Sequence, residues 1–135
     1  MSYKLIIERK NELNNRNRAF AIYINGEYYE DIGSDENEKT LFFDTKLIEI
    51  KFKIDWCYSN KMTISFNDSK VKKISVSSSI SNLLWHFIVS GITFSVLFYF
   101  IFNRMIFVYL PLVIIAIPVY KITFGRNNYL KIKEK

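Results

Sequence analysis

Cysteine and histidine occur once each in this 135-residue chain, glycine four times and proline twice. A single cysteine excludes an intramolecular disulfide framework and fits a reducing compartment. Cys57 and His86 stand far apart, so zinc finds no ligand set and a cysteine–histidine catalytic pair finds no support. With glycine only at 26, 33, 91 and 125, no glycine-rich loop can cradle a phosphate. No catalytic, cofactor-binding or metal-binding residue is assigned, and the chain is not read as an enzyme. Charge is also missing, but only locally. Between Ile74 and Tyr120 the one formally charged residue is Arg104.

The remaining charge has its own distribution. Residues 1–73 carry thirteen Lys or Arg against twelve Asp or Glu, so the net charge of +6 comes mainly from the C-terminal end. There Lys121, Arg126, Lys131, Lys133 and Lys135 face only Glu134. A nearly neutral N-terminal half offers no basic stripe for a phosphate backbone, and no nucleic acid is expected. A basic segment just after an apolar helix instead stays on the cytoplasmic side and meets anionic head groups.

Leu83–Phe102 is an uncharged run of 20 residues, about 30 Å as a helix and so as long as a bilayer core is thick. Met105–Tyr120 is a second uncharged run, which Ile122–Phe124 extends if Lys121 snorkels. The pattern predicts a transmembrane hairpin over 80–124, with helices at about 82–102 and 105–123, Pro111 and Pro118 kinking the second. Cations near the helix ends place both termini in the cytoplasm, since the tip holds only Arg104. The expected location is a bacterial inner membrane, crossed twice, with 125–135 as a basic cytoplasmic tail. Gly91 and Ser95 lie four apart, with Ser90 beside them, and would let a helix backbone approach closely. That helix is either the second one of the hairpin or one from another protomer. His86, next to Trp85 at the helix entrance, is read as part of a head-group-level aromatic belt or as a proton carrier.

The first 77 residues read as strands. Ile48, Ile50, Phe52, Ile54 and Trp56 alternate with charged residues, the period-two pattern of a half-buried strand. Met62–Phe66 repeats it and Lys73–Val76 continues it. Asn25-Gly26 between two strand-like runs predicts a tight hairpin over 19–33. Short strands at 3–8 and 40–43 bring the total to six or seven. The expected class is mixed: an all-β antiparallel sheet or sandwich over 1–77, then the transmembrane hairpin. Parity puts Trp56 in the core and turns Asp55 and Cys57 to the other face. Arg18 shares core-side parity with Phe20 and is expected to close one end of the sandwich over Trp56 or against Asp55. Tyr23, Tyr28 and Tyr29 cluster at the hairpin as a candidate recognition patch.

Arg18 before "IYING" and the strand end "KIDWCYSN" carry a resemblance across residues 18–60. The chain resembles a recurring family of small bacterial membrane proteins, in which a PEGA-like β-domain precedes one or two membrane helices. Members usually carry a Pro-Gly-x-His turn before the last long strand, where this chain has "DTKLIE". The resemblance implies a fold and a membrane anchor and brings no activity with it. Besides the lipid bilayer, the expected partner is a protein or a second copy of the chain. The function expected is that of a membrane-anchored adaptor or accessory subunit. The alternative is a small oligomeric membrane protein whose hairpin works in transport, as a pore or in lipid perturbation.

Overall fold

The computed structural model describes residues 2–135. Its strands are β1 (Tyr3–Arg9), β2 (Phe20–Ile24), β3 (Glu27–Ile32), β4 (Glu38–Phe43), β5 (Leu47–Ile54), β6 (Cys57–Tyr58), β7 (Met62–Ser65), β8 (Val71–Ser78) and β9 (Leu130–Glu134). Two helices, α1 (Asn82–Phe102) and α2 (Ile106–Thr123), lie between β8 and β9. One sheet has the order β4-β1-β8-β9, and the other has β3-β2-β5-β6 with β7 also paired to β5. The β-domain followed by a helical pair is therefore present. One sheet is mixed, because β1 and β8 run parallel with Ile7 opposite Ile74.

Alternation builds the core. Leu5 and Ile7, Phe20 and Ile22, Ile48 through Ile54 at every second position, and Ile74 and Val76 all fall into one buried cluster drawn from both sheets. Each such side chain gains roughly 1.5–3 kcal/mol when fully buried. Asn25 and Gly26 take positive φ of 51° and 91° and join β2 to β3, as the Asn-Gly pair predicts.

Residues 125–135 are not a free basic tail, and that expectation is corrected. β9 pairs antiparallel with β8, Leu130 opposite Ser78 and Ile132 opposite Val76. Tyr129 and Leu130 are buried. Lys131 and Lys133 alternate with Leu130 and Ile132, so the lysines form the wet side of a strand whose other side is apolar. The β-domain is completed only by the return of the chain from α2.

The helices are thus inserted between two neighbouring strands. Ser79 N donates to Tyr129 O at 2.7 Å, and Lys121 Nζ donates to Ser79 O at 2.9 Å, tying the two ends together. At 21 and 18 residues the helices are about 31 and 27 Å long. Only 11% and 6% of their most apolar stretches is buried, so they are not the core of the β-domain. They are long and apolar enough to cross a membrane. α2 runs unbroken through Pro111 and Pro118.

The polar stretch 11–18 grips this junction. Glu12 Oε2 accepts from Ser78 N at 2.6 Å, Asn14 Nδ2 donates to the Tyr129 hydroxyl at 2.7 Å, and Asn82 Oδ1 accepts from Leu13 N at 2.8 Å. Behind it the buried Arg9 guanidinium donates to the carbonyls of Gly33 and Asn15 and lies 4.5 Å from the Phe20 ring centre. Its cation is satisfied by carbonyl dipoles and an aromatic face.

Candidate binding face and its junction with the helices

The outer face of the β3-β2-β5-β6 sheet is assembled by strand parity. Residues that alternate with the buried Ile22, Ile50 and Phe52 must point outward, and on β2 and β5 these are Ala21, Tyr23, Glu49, Lys51 and Lys53, with Glu49 paired to Lys61 at 2.8 Å. Cross-strand pairing sets Tyr23 opposite Lys51 and Lys53 opposite Tyr58. Residues that face each other in this way share a side. Lys51 Nζ lies 4.3 Å and Lys53 Nζ 5.5 Å from the Tyr58 ring centre, both within cation–π range.

A register shift extends the face to the hairpin. Pairing changes from Ile22 opposite Glu30 to Tyr23 opposite Tyr28, which leaves Tyr29 as the extra residue of a β-bulge. The bulge reverses parity on β3. Tyr28 consequently joins Tyr23 on the outer face, edge-on at 6.0 Å, and is 58% exposed. Tyr29 is turned away to Phe43 of β4, with ring centres 5.8 Å apart. The three tyrosines therefore do not form one patch. Tyr23 and Tyr28 belong instead with Tyr58, Lys51 and Lys53, three residues that the hairpin pattern could not reveal.

The turn after β5 corrects two expectations. Asp55 takes a positive φ of 50° and, with Trp56, forms the two-residue turn between Ile54 and its partner Cys57. Strand alternation stops at Ile54. Trp56 is 58% exposed rather than a core residue, and Cys57 is buried rather than outward-facing. Burial, and then the negative charge of Asp55, pushes the Cys57 thiol above its ordinary pKa, the opposite of an activated thiolate. Cys57 stands on β6 and His86 on α1. Among the described residues no cluster of three or more His, Cys, Asp or Glu could hold a metal ion.

Arg18 precedes β2 and lies outside the core. Its Nη1 meets Asp55 Oδ2 at 2.7 Å, with side-chain exposures of 53% and 45%. Of the two expected contacts, the one with Asp55 is made. An exposed pair of this kind is worth about 0–1 kcal/mol, so Arg18 secures the turn and does little for the core. Arg18, Asp55, Trp56 and Cys57 line a small cleft with Ile122 and Tyr129. Cys57 Sγ lies 3.7 Å from the Ile122 carbonyl, which sets this turn directly against the end of α2. Burial raises the Tyr129 pKa as well, and the phenol oxygen accepts from Asn14.

Within the helical pair Gly91 and Ser95 face α2, and Ser95 is buried. A Cβ at Gly91 would lie 3.0 Å from Ile114 Cδ1. Ser90 is on the other side, exposed, and donates to the Phe87 carbonyl. With His86 and Thr93 it lines an open groove along α1.

No family model matches the chain, and comparison with curated proteins and with solved structures finds no match to it.

Proposed function

We propose that the chain is a bacterial inner-membrane adaptor or accessory subunit, with both termini in the cytoplasm. In this reading the outer face of the β3-β2-β5-β6 sheet holds a protein partner. One observation carries it: Tyr28, Tyr23, Lys51, Tyr58 and Lys53 form an aromatic and cationic strip, flanked by Asp31 at Tyr28 and by Glu49 held by Lys61, on a domain tied to the helices at both ends. Neither Lys51 nor Lys53 is in an ion pair with any described residue. Aromatic rings with available cations favour a partner surface bearing carboxylates, with the rings supplying most of the contact area. The orientation draws support from Lys70, Lys72, Lys73, Lys121 and Arg126 on the β-domain side against Arg104 alone at the tip. Kinship with the small membrane proteins that the β-domain resembles belongs to the same proposal.

A second reading places the function in the hairpin, as a homo-oligomer that transports, forms a pore or perturbs lipid. The exposed groove along His86, Ser90 and Thr93 favours it, because polar side chains on a lipid-facing side of a helix seek partners.

The test is purification of the tagged full-length protein from its native cell in mild detergent, with the molar mass measured by light scattering. One stoichiometric protein, retained by the natural chain and lost from Tyr28→Ala and Lys51→Glu, is the expected result. A homo-oligomer unaffected by both substitutions overturns the adaptor reading in favour of the hairpin.

A further inference from the structure

We propose that the cleft beside Trp56 binds the head group of an anionic phospholipid. This rests on the membrane reading of α1 and α2. The cleft, about 570 Å³, is lined by Lys53, Asp55, Trp56, Tyr58, Arg126 and Asn127. Its depth relative to a bilayer follows from the chain. Arg126 stands three residues beyond the end of α2, and the Asp55-Trp56 turn is held against Ile122 through Cys57. The apolar surface begins just past it, at Phe124 and at Leu83 of α1, 82% and 67% exposed. The cleft therefore opens where a bilayer changes from hydrocarbon to head groups, the level that an exposed indole prefers.

Its charge selects the ligand. Asp55 is neutralised by Arg18 at 2.7 Å, whereas Lys53 and Arg126 form no ion pair with any described residue. Two free cations and the amide of Asn127 suit one phosphate diester. The quaternary ammonium of a zwitterionic head group would be repelled by those same cations, so the site favours a lipid with net negative charge. Two cations are far too few to track a nucleic-acid backbone.

The chain has two tryptophans, so Trp85→Phe leaves Trp56 as the only one. That full-length variant is reconstituted in nanodiscs of phosphatidylcholine. To these is added either phosphatidylglycerol or phosphatidylcholine brominated high on the acyl chain, and quenching of the indole is titrated. Brominated phosphatidylglycerol should quench Trp56 at a lower mole fraction than brominated phosphatidylcholine. Lys53→Gln and Arg126→Gln should each reduce this preference about fivefold, the contribution of one cation at a membrane surface. Equal quenching by both lipids overturns the head-group site and leaves the membrane reading intact. A reporter in mid-helix tests that reading separately: Phe94→Trp, in a chain lacking Trp56 and Trp85, should be quenched alike by both lipids when they are brominated near the end of the acyl chain. If neither lipid quenches it, the helices do not span the bilayer and the site falls with them.

Discussion

Ser78 N donates to Glu12 Oε2 at 2.6 Å across 66 residues of sequence, and both residues are buried. This bond closes the loop after β1 over the place where β8 gives way to α1. Removing the acceptor would leave a buried N–H with no protein partner, at about 1–3 kcal/mol. Glu12→Ala should therefore destabilise the β-domain by about that amount, whereas Glu12→Gln, which keeps a carbonyl acceptor, should lose less. Near-UV circular dichroism of the protein unfolding in detergent gives the stabilities, and hydrogen exchange at the Ser78 amide locates the change. Glu12→Ala with unaltered stability and an amide still protected would dismiss the loop as a clamp.

The helical pair makes a separate prediction, since Gly91 admits Ile114 to the helix–helix contact. Gly91→Ala should be tolerated with a small shift of Ile114, a flexible side chain. Gly91→Leu should separate the helices, an overpacking effect of about 1–3 kcal/mol. Phe98 of α1 and Phe107 of α2, with ring centres 5.6 Å apart, can be replaced by cysteine in a Cys57→Ser chain and joined by a short bismaleimide. Cross-linking should survive Gly91→Ala and fall sharply with Gly91→Leu. Ser90→Leu, on the exposed side, should leave the cross-link intact. If Gly91→Leu cross-links as well as the natural chain, the small residues do not serve packing within the hairpin.

Much of this architecture is legible in the sequence where a periodic signal is long. The alternation from Ile48 to Ile54, the Asn25-Gly26 turn and two uncharged runs each repeat one physical preference many times over. What the sequence hid depends on a single residue or on distant partners. One positive φ at Asp55 ends the strand two residues early, which reverses the placements of Trp56 and Cys57. The bulge at Tyr29 does the same on β3 and divides the tyrosines. β9 was obscured because Lys131, Lys133 and Lys135 outweigh Leu130 and Ile132 in any reading by composition. Asn14 reaches Tyr129 across 115 residues, a contact for which the polar loop has no local signature.

The last strand also makes stability depend on pH. Lys135 Nζ lies 2.6 Å and Lys73 Nζ 3.4 Å from Glu8 Oε2, and hydrogen bonding to Lys135 is the main cause that holds the Glu8 pKa below its ordinary value. A carboxylate with a lowered folded pKa adds stability that is complete above its unfolded pKa, about 4.3. That stability is lost as pH falls through the lower folded value. Lys135→Ala should therefore melt slightly below the natural chain at neutral pH, a small effect because the pair is partly exposed. The gap should close once acid has protonated Glu8 in both proteins. Thermal scans in a non-ionic detergent at pH 7 and at about pH 3 measure it, with hydrogen exchange along β9 reporting whether the strand loosens first. A gap that stays constant between those two conditions would show that Lys135 acts through packing alone, and would remove Glu8 as the residue fastening the end of β9 to β1.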